Sequence, residues 1–123
     1  MTEQRLALGR WGEDRAVAYL QRRGIRIVAR NYRCALGEID IIAREHNSLL
    51  FIEVKTRRSA VFGLPQEAVG PRKQRQLIRT AQWYLKVSRT ERLHPRFDVI
   101  AVLWQSDGSA EITHLVDAFA LDA

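Results

Sequence analysis

The pattern of apolar and polar positions predicts two helices and five strands. Apolar residues spaced three and four apart indicate helices over residues 2–23 and from Pro71 onward, where Pro occupies the favoured first turn. Alternating or continuous short apolar runs indicate strands at residues 25–32, 38–44, 50–55, 97–104 and 111–116. The order of helix, three strands, helix and two strands predicts an α/β fold with a mixed central sheet flanked by helices.

A tight polar turn at residues 46–47 joins the second and third predicted strands. With this turn, Asp40 faces Glu53 and Glu38 faces Lys55 across the two strands, whereas a slip of one residue would send the two acids to opposite faces. Facing carboxylates repel each other and destabilise a sheet by up to ~1 kcal/mol. A compensating positive charge is therefore expected beside Asp40 and Glu53.

Two interpretations of these strand charges remain open at this stage. In the first, Asp40 and Glu53 are solvent-facing acids balanced by Lys55 and Arg44. In the second, the two acids hold a divalent cation, since Mg²⁺ or Mn²⁺ takes one or two carboxylates together with water and substrate phosphate. Such a metal supports phosphodiester hydrolysis, with Lys55 orienting or deprotonating the attacking water or stabilising charge on the phosphate.

The first helix carries an acid on its apolar stripe. Helical spacing places Leu6, Glu13, Val17 and Leu20 on one stripe of this helix. Glu13 is either an acid at the edge of that stripe, paired through solvent, or a third carboxylate that projects towards the two strand acids.

These residues, in this order, resemble a known family. Asp40 followed by Glu53-Val54-Lys55 resembles the PD-(D/E)XK nuclease signature, although Ile39 stands where the superfamily name has Pro. The longer string is similar to the YraN family of small bacterial proteins, which are similar to archaeal Holliday-junction resolvases. The matching segments are Gly12-Glu13, Gly37 to Asp40, Phe51 to Lys55 with Arg57, and Phe62-Gly63 to Glu67-Ala68-Val69 with Lys73.

The resemblance implies a restriction-endonuclease-like α-β-β-β-α-β core and a metal-dependent endonuclease acting on DNA, with branched, Holliday-junction-like DNA as a candidate substrate. It implies that Asp40, Glu53 and Lys55 are catalytic and that Glu13, Asp40 and Glu53 hold Mg²⁺ or Mn²⁺. Because resolvases of this superfamily act as dimers, it also implies a homodimer. The alternatives are a non-catalytic nucleic-acid-binding module on the same scaffold, and an adaptor that recruits a partner through its basic surface.

Charge is distributed unevenly and favours a polyanionic partner. Residues 96–123 contain one Arg against five acids, whereas residues 1–95 contain 19 basic and nine acidic residues, within a total of +6. A basic region around a carboxylate cluster suits an enzyme that gathers DNA and acts on one phosphate. The candidate DNA contacts are Arg57, Arg58, Arg72, Lys73, Arg75 and Arg79, and the run of arginines from Arg22 to Arg33 is either a solvated face or a further phosphate track.

Composition narrows the cellular context. No apolar run approaches the ~20 residues that span a bilayer, and residues 1–10 lack a signal segment. The single Cys34 permits no internal disulfide, which is typical of a reducing compartment. The sequence therefore predicts a cytoplasmic protein without a membrane partner, folded as one domain over residues 1–123.

Further expectations concern packing and loops. Trp83 and Tyr84 are predicted to be core aromatics, and Asp98 a structural acid paired with a neighbouring arginine. Strict alternation places Ile39 and Ile41 on one face of the sheet. A loop is predicted over residues 60–68, where Gln66 and Glu67 are further site candidates, and a short terminal turn over residues 117–123.

Overall fold

In the part of the chain that the structure describes, five strands form one mixed sheet that carries a helix on each face. The structure, a computed structural model, describes residues 2–58 and 69–120. The predicted loop over residues 60–68, with Gln66 and Glu67, therefore lies outside the described residues. The elements are α1 (Glu3–Arg22), β1 (Arg26–Cys34), β2 (Gly37–Glu45), β3 (Ser48–Arg57), α2 (Pro71–Val87), β4 (His94–Trp104) and β5 (Ala110–Phe119). This order confirms the predicted α/β fold.

The strands lie in the sheet in the order β1-β2-β3-β4-β5. Neighbours are antiparallel except β3 and β4, which are parallel and are joined through α2. Parallel neighbours require such a crossover because the chain must return to the same end of the sheet. The topology is consistent with a restriction-endonuclease-like core. Neither helix in the described part of the chain is long and apolar enough to cross a membrane.

Both faces of the sheet are buried against apolar side chains. On one face, residues of α2 such as Leu77 and Ala81 pack with Phe51 and Phe97. On the other face, Ala16 and Leu20 of α1 pack with residues of β2, β3 and β4. Burial on two sides explains why the central strands are almost continuously apolar.

The alternation of faces breaks at Asp40, so the predicted pairing of Ile39 with Ile41 on one face is wrong. Ile41 packs on the α1 side, whereas Ile39 packs on the α2 side together with Ile42. On β1, the residue opposite Asp40 is Asn31, which adopts a φ of 54°. The ladder between β1 and β2 has no regular pair at this position, between Arg30–Ile41 and Tyr32–Ile39. The left-handed residue and the break in alternation therefore form one local irregularity across two strands.

Three other packing predictions are corrected by the structure. Trp83 is 45% exposed rather than in the core, because it lies about 200° around α2 from the buried Ala81. Leu6 is also 45% exposed and leaves the predicted apolar stripe of α1. Residues 117–119 continue β5 rather than forming a terminal turn, and residues 121–123 lie outside the described part. Tyr84 packs against the α2-side cluster, as predicted.

A buried charged cluster connects α1 to the sheet. Asp98, 1% exposed, accepts hydrogen bonds from Arg96 Nε (3.0 Å) and Nη2 (2.9 Å), which confirms the predicted ion pair. It also contacts His114 Nε2 at 2.8 Å and accepts the backbone N–H of Asp117 at 2.9 Å. The other ring nitrogen of His114 lies 3.0 Å from the hydroxyl of Tyr19 on α1. The cluster thus links one helix to two strands.

Two glycines on α1 face opposite environments. A Cβ added to Gly12 would overlap the Thr56 side chain of β3, only 2.7 Å from its Cγ2. A Cβ added to Gly9 would meet no atom within 4 Å. The helix therefore touches β3 closely at Gly12, while its preceding turn stands clear of the sheet.

We expect Gly12→Ala to lower the free energy of unfolding by about 1–3 kcal/mol, because the new methyl group forces α1 away from Thr56. Gly9→Ala is the matched control and should raise the free energy of unfolding by up to ~1 kcal/mol through helix propensity alone. Urea denaturation of both variants measures the difference. Equal stabilisation by the two alanines would contradict the close contact between α1 and β3.

Candidate functional site

The candidate site lies where β2 and β3 separate. Their ladder begins at Glu45–Ser48, as the predicted turn at residues 46–47 requires, and ends at Ile41–Ile52. Beyond that point β2 continues to pair with β1, whereas β3 continues to pair with β4. The two strands therefore diverge at the position of the candidate acids.

The divergence changes two of the predicted facing pairs. The register is the one predicted, but the ladder stops before Asp40–Glu53 and Glu38–Lys55 can form regular pairs. Glu38 forms an exposed ion pair with Arg33 of β1 instead, at 3.1 Å. The gap between the strands is occupied by a side chain rather than by backbone hydrogen bonds.

That side chain is Asp40. Its Oδ2 accepts a hydrogen bond from the backbone N–H of Val54 at 2.8 Å. Because Val54 directly follows Glu53, the two carboxylates lie at the same level of the sheet. Burial is the main cause that raises the pKa of Asp40, and repulsion by the charges of Glu13 and Glu38 adds to it. The hydrogen bond from the Val54 N–H and the charge of Lys73 oppose that rise.

Glu53 lies between two lysines. Its side chain is 8% exposed, with Lys55 Nζ 3.6 Å from Oε1 and Lys73 Nζ 3.9 Å from Oε2. Burial and the nearby charge of Asp40 raise the pKa of Glu53 to about 7, against the opposing effect of the two ammonium groups. The structure therefore places both predicted lysines at this carboxylate, one from its own strand and one from α2.

Glu13 reaches the same region from α1. Its Oε1 accepts hydrogen bonds from Arg30 Nε at 2.9 Å and from Asn31 Nδ2 at 3.1 Å. The irregular backbone at Asn31 thus supplies one of the donors that orient this acid. Glu13 is close enough to Asp40 to raise the pKa of that carboxyl, although its part in holding a metal stays a prediction.

The donor set fits a divalent cation through two carboxylates. Within residues 2–58 and 69–120, no three acidic, histidine or cysteine side chains already form a ligand cluster. Glu53 is nevertheless buried and Asp40 half-buried, and the charge of Asp40 is close enough to raise the pKa of Glu53. Mg²⁺ commonly takes one or two carboxylates and keeps its other positions for water and phosphate oxygen. Asp40 and Glu53 are therefore the residues that would hold the metal.

A basic groove opens from Asp40 along the N-terminal half of α1. It has a volume of about 1050 Å³, and its described lining contains six basic and two acidic residues. Of the predicted DNA contacts, Arg57 and Arg58 line it, whereas Arg72, Lys73, Arg75 and Arg79 on α2 do not. The other basic residues of the lining are Arg5, Arg10, Arg33 and Lys55.

Sequence reasoning did not identify Arg5 and Arg10 as candidate contacts. They lie far along the chain from the carboxylates, and only the packing of α1 on β3 brings them to the same groove. The available signal was their position on the turns before Glu13, which the resemblance had already assigned to the site.

Comparison with known proteins identifies a family. The model of the family described as "Uncharacterised protein family UPF0102" matches residues 12–102. A UPF0102 protein of Syntrophotalea carbinolica is 57% identical over 99% of this chain and 98% of its own length. UPF0102 proteins of Syntrophus aciditrophicus and Geobacter sulfurreducens are each 48% identical, over 96% and 93% of this chain and 92% and 89% of their own. The chain therefore belongs to the UPF0102 family, the YraN family that its motifs resemble.

Proposed function

We propose that the protein is a metal-dependent endonuclease that hydrolyses phosphodiester bonds in DNA, with branched, Holliday-junction-like DNA as a candidate substrate. One observation carries the proposal. Asp40 and Lys55 line a basic groove where β2 and β3 separate, and Glu53 lies beside Lys55, with Nζ 3.6 Å from its Oε1. A merely basic DNA-binding protein gains nothing from a buried acid and a half-buried acid at that position, because they repel phosphate.

Each residue has a role that follows from its surroundings. Asp40 and Glu53 would hold Mg²⁺ or Mn²⁺, with Glu13 as the third predicted ligand, and such a cation would supply Lewis-acid polarisation of a phosphoryl oxygen and a water of lowered pKa. Lys55, 3.6 Å from Glu53, orients the attacking water or stabilises charge on the phosphate. The arginines of the groove hold the polyanion in place.

The non-catalytic binding module remains the second candidate for one specific reason. Lys55 and Lys73 both contact Glu53, so the carboxylates already have ammonium partners without any metal. A scaffold that keeps these contacts binds nucleic acid without cleaving it. Its binding would survive Asp40→Ala and Glu53→Ala.

A cleavage assay separates the two candidates. Purified protein is incubated with labelled four-way junction, flap, single-stranded and linear duplex DNA, in Mg²⁺, Mn²⁺ or EDTA. We expect cleavage with either metal, none in EDTA, and a fall to the level of the protein-free blank in Asp40→Asn and Lys55→Ala. Glu91→Gln, which changes an exposed acid of the α2–β4 connection, is the matched control and should cleave normally.

Equal residual cleavage by Asp40→Asn and the unmodified protein would show that a contaminant acts, and would overturn the proposal. The homodimer implied by the resemblance is part of the same proposal, because two strands must be cut symmetrically at a junction. Light scattering after gel filtration, with and without junction DNA, measures whether two copies assemble.

A further inference from the structure

The basic groove is a wedge that closes where α1 touches β3, and Glu13 and Asp40 line it. α1 touches β3 at Gly12 and Thr56, which closes the wedge at its inner end. The preceding turns of α1 are largely exposed and stand away from the ends of β2 and β3. Glu13 and Asp40 line this same groove, so a molecule that follows it arrives at the candidate site.

The two walls of the groove carry positive charge. Arg5 and Arg10 project from α1, while Arg33 comes from β1, and Lys55 and Arg57 come from β3. Glu13 and Asp40 are the only acids among the described lining residues. Basic residues along both walls would bind the phosphates of a nucleic-acid backbone, and the acids at one end mark the position where a single phosphate would be placed.

The helix side of the groove also offers apolar and open surface between these charges. Leu6 is 45% exposed and lines the groove, although helical spacing predicts that it belongs to the packed stripe. Gly9, one turn further along α1, has no atom within 4 Å of an added Cβ. Apolar surface and free space between phosphate-binding walls suit the flat face of an unpaired base.

The size of the groove is compatible with one strand of nucleic acid. Its volume of about 1050 Å³ is close to the upper end of pockets that enclose small molecules. A groove of this size suits a short length of a single strand.

We propose that the wedge between the N-terminal half of α1 and the diverging ends of β2 and β3 is a track for a single strand of nucleic acid, which leads one phosphate to Asp40. The proposal deepens the proposed function, on which it rests for the chemistry at the inner end. It specifies the substrate class as nucleic acid with an unpaired strand, such as a flap or an opened junction arm.

A bulky side chain at Gly9 tests whether a single strand binds along this groove. Fluorescence anisotropy in EDTA measures binding of labelled oligothymidylate, oligouridylate and a blunt DNA duplex, so that no step depends on metal or cleavage. We expect the unmodified protein to bind the single strands at least about tenfold more tightly than the duplex, and Gly9→Phe to weaken single-strand binding at least about tenfold. Ala7→Phe, which adds the same bulk at an exposed position of α1 that does not line the groove, is the matched control and should bind like the unmodified protein.

Removing single arginines from α1 and measuring the salt dependence of binding provides a second test. Arg5→Ala and Arg10→Ala should each reduce the dependence of log affinity on log salt by about 0.7, the value for one phosphate contact on a single strand. Arg15→Ala removes an exposed arginine of α1 that does not line the groove, and should leave the slope unchanged. Circular dichroism and thermal melts confirm that every variant is folded.

Equal affinity for duplex and single strands, or an unchanged affinity in folded Gly9→Phe, would overturn the track. Comparable binding of the DNA and RNA oligomers would show that the groove recognises backbone and bases without the sugar. Failure of the nuclease proposal looks different, since it leaves strand binding in EDTA intact while no metal yields cleavage.

Discussion

Asp98→Asn is expected to lower the free energy of unfolding by about 3–5 kcal/mol at pH 7, although Asn has almost the same shape as Asp. The carboxylate is 1% exposed and receives two bonds from the Arg96 guanidinium, itself largely buried. An amide cannot accept both bonds and neutralise the cation, so the substitution removes the buried partner of the guanidinium and leaves its 3.2 Å contact with Glu45, which is partly exposed. The bond to His114 Nε2, which connects the sheet to α1 through Tyr19, is weakened at the same time.

The pH of the measurement matters for this prediction. Burial acts to raise the pKa of Asp98, but hydrogen bonds from His114, Arg96 and the Asp117 backbone outweigh it and hold the pKa below 3.8. The stabilisation from the lowered pKa is complete above the unfolded value near 3.8 and is lost as the pH falls further. Urea denaturation at pH 7 therefore measures the full effect.

A double-mutant cycle distinguishes the ion pair from simple loss of packing. The cycle compares Arg96→Ala, Asp98→Ala and the double variant, and a favourable coupling of about 2 kcal/mol or more is expected for a buried pair. Glu91→Gln, at an exposed acid of the α2–β4 connection, is the control and should leave stability unchanged. Additive costs of the two alanines would show that the contact does not stabilise the fold.

The sequence was sufficient to predict the register between β2 and β3. A two-residue turn and the alternation of apolar side chains fix which residues face each other, since a slip of one position would expose a buried face. The observed ladder has the predicted pairs from the turn as far as Ile41–Ile52. The local pattern is reliable here because the interactions that set it are close along the chain.

The separation of the strands beyond Ile41 was not predictable from the same pattern. It depends on competition among three ladders, since β2 stays with β1 while β3 stays with β4. The left-handed Asn31 opposite Asp40 is also hidden in an apparently regular strand. Tertiary pairing decides both features, and these two features place Asp40 in the gap.

Helix faces were only partly predictable for a related reason. Periodicity identifies the apolar stripe of a helix, but it does not say how far the helix remains in contact with the sheet. Leu6 has the right spacing for the core, yet α1 leaves the sheet before reaching that turn. The same departure creates the groove and brings Arg5 and Arg10 beside it.

Glu53 is expected to make the metal-free protein less stable as the pH rises. Burial and the charge of Asp40 raise its pKa from the ordinary 4.5 to about 7, so the folded state binds this proton more tightly than the unfolded chain does. The stabilisation from the bound proton is complete below pH 4.5 and is lost as the pH passes through 7. A shift of this size lowers the free energy of unfolding by about 3 kcal/mol at pH 8 relative to pH below 4.5.

We therefore expect Glu53→Gln, in EDTA, to match the unmodified protein near pH 4.5 and to exceed its free energy of unfolding by about 3 kcal/mol at pH 8. Glutamine keeps the shape but never ionises, while Lys55 and Lys73, about 30% exposed, can turn to solvent. Urea denaturation from pH 4.5 to 8 measures this difference in the free energy of unfolding. Glu91→Gln is the control and should show no difference from the unmodified protein. Adding Mn²⁺ at pH 8 should narrow the difference, because a divalent cation stabilises the ionised pair that only the unmodified protein has. A difference that is absent at pH 8, or that Mn²⁺ leaves unchanged, would contradict the closeness of Asp40 and Glu53 on which the proposed metal site depends.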